Sequence, residues 1–236
     1  MQYEGDKFSK SRGVGVFGDQ AGLTGISSSV FRYYLLSSRP ESSDSQFLWR
    51  EFIAKNNAEL LNNLGNLVNR VTKFITAKYK SVVPDYTKDT SDTAGVKKLE
   101  ADVNQILKSY IEAMDSLKLK QGLHYAMSLS ARANLFLQEN KLDNTLFSNF
   151  PDQCAATLGA AINVIYLLSA MLSPFIPATS DSIDQQINAP RLAVPDSWKV
   201  GDILPGHTIG KPQYLFSKIP EEKEEEWKTR FGGVSK

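Results

Sequence analysis

The sequence predicts a mainly α-helical protein: a small α/β connector, then an antiparallel α-helical bundle, then an irregular C-terminal tail. Three observations lead there. Apolar residues recur at helical spacing through several long stretches in the middle of the chain. Short connections rich in Pro, Gly or polar residues separate those stretches, as between antiparallel helices. The two ends differ from the middle, with glycines at 13, 15 and 18 and a run of prolines and glycines after Pro190.

Each element has its own local reason. Residues 7–18, KFSKSRGVGVFG, combine lysines, serines and glycines and predict a flexible loop leading into a short extended stretch. Val30, Phe31, Tyr34 and Leu35 then mark a helix that Arg39-Pro40 ends. Residues 1–44 are too few to bury much core alone, so this connector is expected to pack on something larger. From Ser45 to about Lys80 a long helix is expected, with Leu60, Leu64, Leu67, Val71 and Phe74 on one stripe and Pro84 closing it. Further helices are expected near 93–114, 119–139, 153–172 and 179–187, making 45–190 a bundle. The remaining residues, 191–236, predict a wrapping tail with a short helix near 221–230.

Composition bounds the function. The 236 residues are 42% apolar, ordinary for a globular chain with a real core. The single Cys154 rules out an internal disulfide, and with only His124 and His207 beside it there is no zinc spacing. No metal bound by this chain is expected, and a reducing, cytoplasmic setting is the default. The apolar run from Ala155 to Leu172 is broken by Gly159, Asn163 and Ser169, which predicts a buried helix and no membrane partner. The first residues lack a signal-peptide pattern, so the chain is expected to begin partway through a longer protein.

A net charge of +1 argues against a protein that binds nucleic acid by bulk attraction. The charge is nonetheless uneven. Between Arg50 and Lys80 six basic residues face two acidic ones, while Glu221 to Glu226 is an acidic run that reads as a solvated helix face.

Two constellations carry chemistry. Lys7-Phe8-Ser9-Lys10-Ser11 sets two lysines three apart on a glycine-flanked loop, where the ammonium groups can follow a polyphosphate and the hydroxyls of Ser9 and Ser11 can donate to it. Gly13 and Gly15 would let such a loop close on its anion. As a bare pattern, a solvated surface loop is the better reading. Asn66 and Arg70 stand one helical turn apart, off the leucine stripe, and offer an amide that both donates and accepts beside a planar donor fork. Their bland alternative is an ordinary polar helix face. Neither histidine has a positioned Ser, Cys or carboxylate partner, so no triad is proposed, and His207 reads as a turn residue.

These segments resemble those of a known family. KFSKSRGVGVF is similar to the KMSKS lysine signature of class I aminoacyl-tRNA synthetases with the SRG continuation of the methionine-specific enzymes, Phe8 standing where Met is usual. Val30 to Leu35, VFRYYL, resembles the family's stem-contact helix. Asn62 to Arg70, NNLGNLVNR, resembles the NxxxR segment that reads the wobble cytosine of the CAU anticodon. Residues 205–212, PGHTIGKP, resemble the stretch that folds back toward the catalytic domain. In the segment 135–143, Leu142 takes the place of a tryptophan that packs on the anticodon, a departure similar to fungal-type cytosolic enzymes. Leucine brings apolar contact without stacking, and a plain core leucine is the alternative.

The resemblance implies a methionine–tRNA ligase whose ATP-binding residues include Lys7, Ser9, Lys10 and Ser11, with Lys10 and Lys7 catalytic. It also implies Asn66, Arg70 and Leu142 at the anticodon. ATP with Mg would be a substrate of the whole enzyme, with L-methionine and tRNA(Met). The nucleotide-binding fold, with its HIGH-type signature, methionine pocket and zinc region, is not in these residues. The N-terminal catalytic domain is therefore an expected partner, as a separate or nicked chain. Competing readings are another class I synthetase, such as the cysteinyl enzyme, and a non-catalytic helical RNA-binding or assembly module.

Overall fold

In the computed structural model, which describes residues 1–40 and 44–233, the chain divides into two compact units. One joins residues 1–62 to 216–236, and the other is 63–215. The division differs from the expected 1–44, 45–190 and 191–236. It falls inside the long helix, and it splits the tail. Residues 41–43 of the connector and 234–236 of the tail lie outside the described residues.

In the first unit, β1 (Gln2–Tyr3) pairs antiparallel with β2 (Asp6–Lys7) and parallel with β3 (Gln46–Phe47). A short α1 (Gly18–Ala21) precedes α2 (Ser28–Ser37), where the Ser27 hydroxyl caps the helix by accepting from the Ser29 N–H at 3.1 Å. The long helix expected from Ser45 starts later, as α3 (Trp49–Lys55), because Gln46 and Phe47 are taken by pairing with β1. It continues through a π-helical segment (Asn56–Gly65) into α4 (Asn66–Tyr79). Leu60, Leu64, Leu67 and Val71 along it are fully buried.

What the connector lacks in size, the returning tail supplies. The Trp49 ring lies 4.7 Å from Trp227, 5.7 Å from Phe231 and 4.8 Å from Phe47, centroid to centroid. Its indole N–H donates to the Tyr3 hydroxyl at 2.8 Å, and its backbone N–H donates to the Glu4 carboxylate at 2.6 Å. Trp227 and Phe231 belong to α10 (Lys223–Phe231), and their i, i+4 spacing turns both inward. The acidic run is thus solvated on one side only. Lys228 neutralises part of it through Glu224, and reaches Glu4 at 3.7 Å. Upstream, the Asn56 amide donates to the Ser217 carbonyl at 2.9 Å. Asn57 donates to the Ile219 carbonyl at 2.8 Å and accepts from the Ile219 N–H at 2.9 Å.

The second unit packs α5 (Val96–Asp115), α6 (Leu119–Glu139), α4, the short α7 (Asn144–Asn149) and α9 (Pro177–Ile187) around α8 (Pro151–Leu172). Helix α8 is apolar all round and buried at every position from Cys154 to Leu172, which places it at the bundle centre. Among the described residues it alone has the length and hydropathy to cross a membrane, and its apolar window is fully buried here. The buried Asn163 pins the tail, donating to the Ile203 carbonyl at 3.1 Å and accepting from the Ile203 N–H at 2.8 Å. His207 serves a turn, with Nε2 2.7 Å from the Ile187 carbonyl. Helix α7 escaped sequence reading because it is six residues long, started by the Asp143 carboxylate accepting from the Leu146 N–H.

Truncating the tail's anchor tests this packing. Trp227→Ala should destabilise the first unit by about 3–5 kcal/mol, read from the urea midpoint. A loss below about 1 kcal/mol would show that the tail is not part of that core.

Candidate functional site

The lysine loop is a hairpin. Ser9 and Val14 exchange both backbone hydrogen bonds, at 2.9 and 3.0 Å, and the Gly13 N–H closes the turn on the Lys10 carbonyl at 3.2 Å. Lys10, Ser11 and Arg12 therefore form the exposed tip, while Lys7 sits exposed at the root in β2. Neither lysine has an ion-pair partner among the described residues. The Ser9 and Ser11 hydroxyls are 3.4 Å apart, and Arg12 lies 3.9 Å from Asp6. The Lys7 and Lys10 ammonium groups are thus open to solvent.

Phe8 holds this hairpin down. Its ring meets Tyr3 at 5.4 Å and Phe17 at 5.9 Å, both edge to face, so the residue in the Met slot is an aromatic anchor. The glycines expected to confer mobility have specific places in the hairpin. Gly13, at φ +68°, fits a turn that L-residues resist, and Gly15, at φ +114°, lies against Phe8, where an added Cβ would be 2.2 Å from the ring. The Gly15 N–H donates to the Phe231 carbonyl at 2.8 Å, which ties the hairpin base to the end of α10.

In the bundle, the structure separates the three residues expected at the anticodon into different roles. Asn66 is exposed on α4, and Arg70 is half-buried one turn later. The Arg70 guanidinium donates through Nη2 to the Leu142 carbonyl at 2.9 Å. Leu142 itself is only 4% exposed, so its side chain belongs to the core. That burial matches the plain core leucine given as the alternative, and the group Leu142 turns toward Arg70 is its carbonyl.

Sequence reasoning missed the polar network beneath Asn66. The Asn66 amide donates to Asn134 Oδ1 at 3.3 Å, Asn134 donates to Asn63 Oδ1 and to the Asn63 carbonyl at 3.0 Å, and Ser130 donates to Asn63 Oδ1 at 2.8 Å. Asn63 in turn donates to the Met127 carbonyl at 3.1 Å. Every amide is held from at least one side, which orients Asn66 before anything binds. The signal available was Asn63 at i−3 from Asn66 and the Ser130/Asn134 pair at i, i+4 on the facing helix. Among the described residues no three His, Cys, Asp or Glu side chains gather as a metal site.

Residues 1–72 match the family profile described as tRNA synthetases class I (M), and residues 83–236 match the anticodon binding domain of methionyl tRNA ligase. Over 99% of the chain it is 53% identical to a probable cytoplasmic methionine–tRNA ligase of Schizosaccharomyces pombe, and 51% identical to the cytoplasmic methionine–tRNA ligase of Saccharomyces cerevisiae. It spans 30% and 31% of those relatives' lengths. The human cytoplasmic methionine–tRNA ligase is 38% identical, with 26% of its length covered. The Mycobacterium tuberculosis methionyl-tRNA synthetase solved with methionyl-adenylate shares the fold over 91% of this chain and 42% of its own, with a TM-score of 0.77 at 19% identity.

The two loop glycines give unequal predictions. Gly13→Ala faces only backbone strain and should cost about 1 kcal/mol, whereas Gly15→Ala adds overlap with Phe8 and should cost about 3 kcal/mol. Equal urea midpoints for the two variants would show that Phe8 does not anchor the hairpin.

Proposed function

Because the chain belongs to the methionyl-tRNA synthetase family, we propose that it supplies two parts of a cytoplasmic methionine–tRNA ligase: the lysine loop at the ATP phosphates and the surface that reads the tRNA(Met) anticodon. The observation that carries this reading is the paired presentation on α4, with Asn66 exposed and its amide oriented, and Arg70 aimed by the Leu142 carbonyl. Leu142 acts as a positioning residue for Arg70.

In the whole enzyme the L-methionine carboxylate attacks the α-phosphorus of ATP, delivered with Mg as substrate. A P–O bond breaks, and diphosphate leaves. Negative charge grows on that leaving group, so cations already in place stabilise the transition state more than the ground state. Lys10 at the hairpin tip and Lys7 at its root are the cations available, and Ser9 and Ser11 supply donors to phosphate oxygens. The N-terminal catalytic domain would provide the methionine site and the rest of the nucleotide cleft.

At the anticodon, an unpaired cytosine presents a carbonyl and a ring nitrogen as acceptors and an amino group as donor. Asn66 can serve both kinds, and the free edge of Arg70 can donate to the base or stack on it. Discrimination of about 1–3 kcal/mol per good contact follows.

Joined to its catalytic half, the Lys10→Ala variant should lose methionine-dependent ATP–pyrophosphate exchange by about 100-fold or more. Near-normal exchange would sink the catalytic half of the reading. Asn66→Ala and Arg70→Ala should each raise the KM for tRNA(Met) by about tenfold while leaving exchange unchanged. Equal damage to both reactions would point to loss of fold instead.

A further inference from the structure

The face of α4 that carries Asn66 and Arg70 does not end with them. Lys73 follows Arg70 by three residues and Asn66 by seven, and at about 100° per residue all three fall within a narrow arc of the helix. From Asn66 to Tyr79 the helix holds Arg70, Lys73 and Lys78 and no acidic residue. Beside Lys73 stands Tyr214, 72% exposed, an unusual exposure for a ring of this size. The Lys73 ammonium donates to the Tyr214 hydroxyl at 2.8 Å and sits 4.3 Å from the ring centroid.

This pair is not what holds the tail in place. The backbone around it is fixed independently. The Ile209 N–H donates to the Ser81 carbonyl at 2.8 Å, the Gly210 N–H to the Gln186 carbonyl at 2.8 Å, and the Gln213 N–H to Gln186 Oε1 at 2.9 Å. The tail passes so close to α9 that a Cβ on Gly210 would lie 2.4 Å from the Gln185 carbonyl. Tyr214 is thus an aromatic on a stretch of irregular tail pinned just upstream, with an ammonium against it and most of its surface open to solvent.

We infer that Lys73 and Tyr214 form a second nucleotide platform on this face, the ring stacking a single-stranded base adjacent to the one read by Asn66 and Arg70 while the ammonium takes a backbone phosphate. This rests on the anticodon reading above and adds a contact to it. A ring with two rotatable bonds loses little entropy on stacking, and a stacked base gains without regard to its identity. A lysine phosphate contact adds a salt-dependent term. The platform would therefore raise affinity for the loop while Asn66 and Arg70 set its specificity.

The test is a fluorescence-anisotropy titration of the 236-residue chain with an RNA hairpin whose loop carries CAU, repeated over a salt series. Tyr214→Leu should bind about tenfold more weakly, whereas Tyr214→Phe and Tyr214→Trp, which keep a ring but lose the hydroxyl, should stay within about twofold of the parent. Lys73→Gln should lower the slope of log affinity against log salt by about one. Melting curves of all variants separate binding from folding. If Tyr214→Phe falls as far as Tyr214→Leu, the hydroxyl is what counts and the stacking inference is overturned. If Tyr214→Leu binds like the parent while Arg70→Ala is weakened, this inference fails and the anticodon reading stands. Should the parent not bind the hairpin, or Arg70→Ala bind as tightly as the parent, both fail together.

Discussion

Trp49 is the residue on which the smaller unit depends. A connector of this length cannot exclude water from both sides of a three-stranded sheet whose strands are two residues each. Segments far apart in sequence therefore converge on one indole: Tyr3 from the first strand, Phe47 and Phe52 beside it, and Trp227 and Phe231 from the last helix. Aromatic rings bury much area per residue ordered, which makes them efficient where few residues are available. The consequence reaches the lysine hairpin, because Phe8 docks on Tyr3 and Gly15 hydrogen-bonds to Phe231. With apolar anchoring at the root, Lys10 stands exposed at the tip with no ion-pair partner among the described residues.

Asparagine does the corresponding work for polar groups. An amide can donate and accept at once, so a single side chain can satisfy both a carbonyl and an N–H of a passing backbone. Asn57 does this for Ile219, Asn163 for Ile203, and Asn104 for Trp198, with Nδ2 to carbonyl at 2.7 Å and N–H to Oδ1 at 2.7 Å. In each case irregular tail is held as firmly as a strand would be. The Asn63–Ser130–Asn134 network applies the same chemistry between two helices, and its outermost member, Asn66, keeps part of its hydrogen-bonding capacity exposed. Preorganisation of that kind lowers the entropic cost of any contact Asn66 makes.

Much of the fold was legible because it is local. The limits of the helix at Leu119–Glu139 came directly from apolar spacing, and those of α8 and α9 came within two residues at the start. The strand at Gln46–Phe47 was not legible, since two residues carry no period, and the long helix was consequently begun too early. Lys7, Ser9, Lys10, Ser11, Asn66 and Arg70 were singled out by spacing and resemblance. Leu142 was singled out for its side chain, but its carbonyl is what faces Arg70, and backbone groups leave no mark in a residue pattern.

The sequence by itself determined the helical class, the bundle's helix order, the lysine-rich turn and the polar pair on α4, because helical periods, turn residues and i, i+4 spacings are short-range properties of the chain. Only tertiary structure decided that the tail divides between two units, that Trp227 and Phe231 close on Trp49, that Phe8 roots the hairpin, and that Asn134 and Leu142 aim Asn66 and Arg70. Those contacts join residues remote in sequence. Their partners are chosen by which surfaces remain to be buried once the local elements have formed, and no local pattern records that choice.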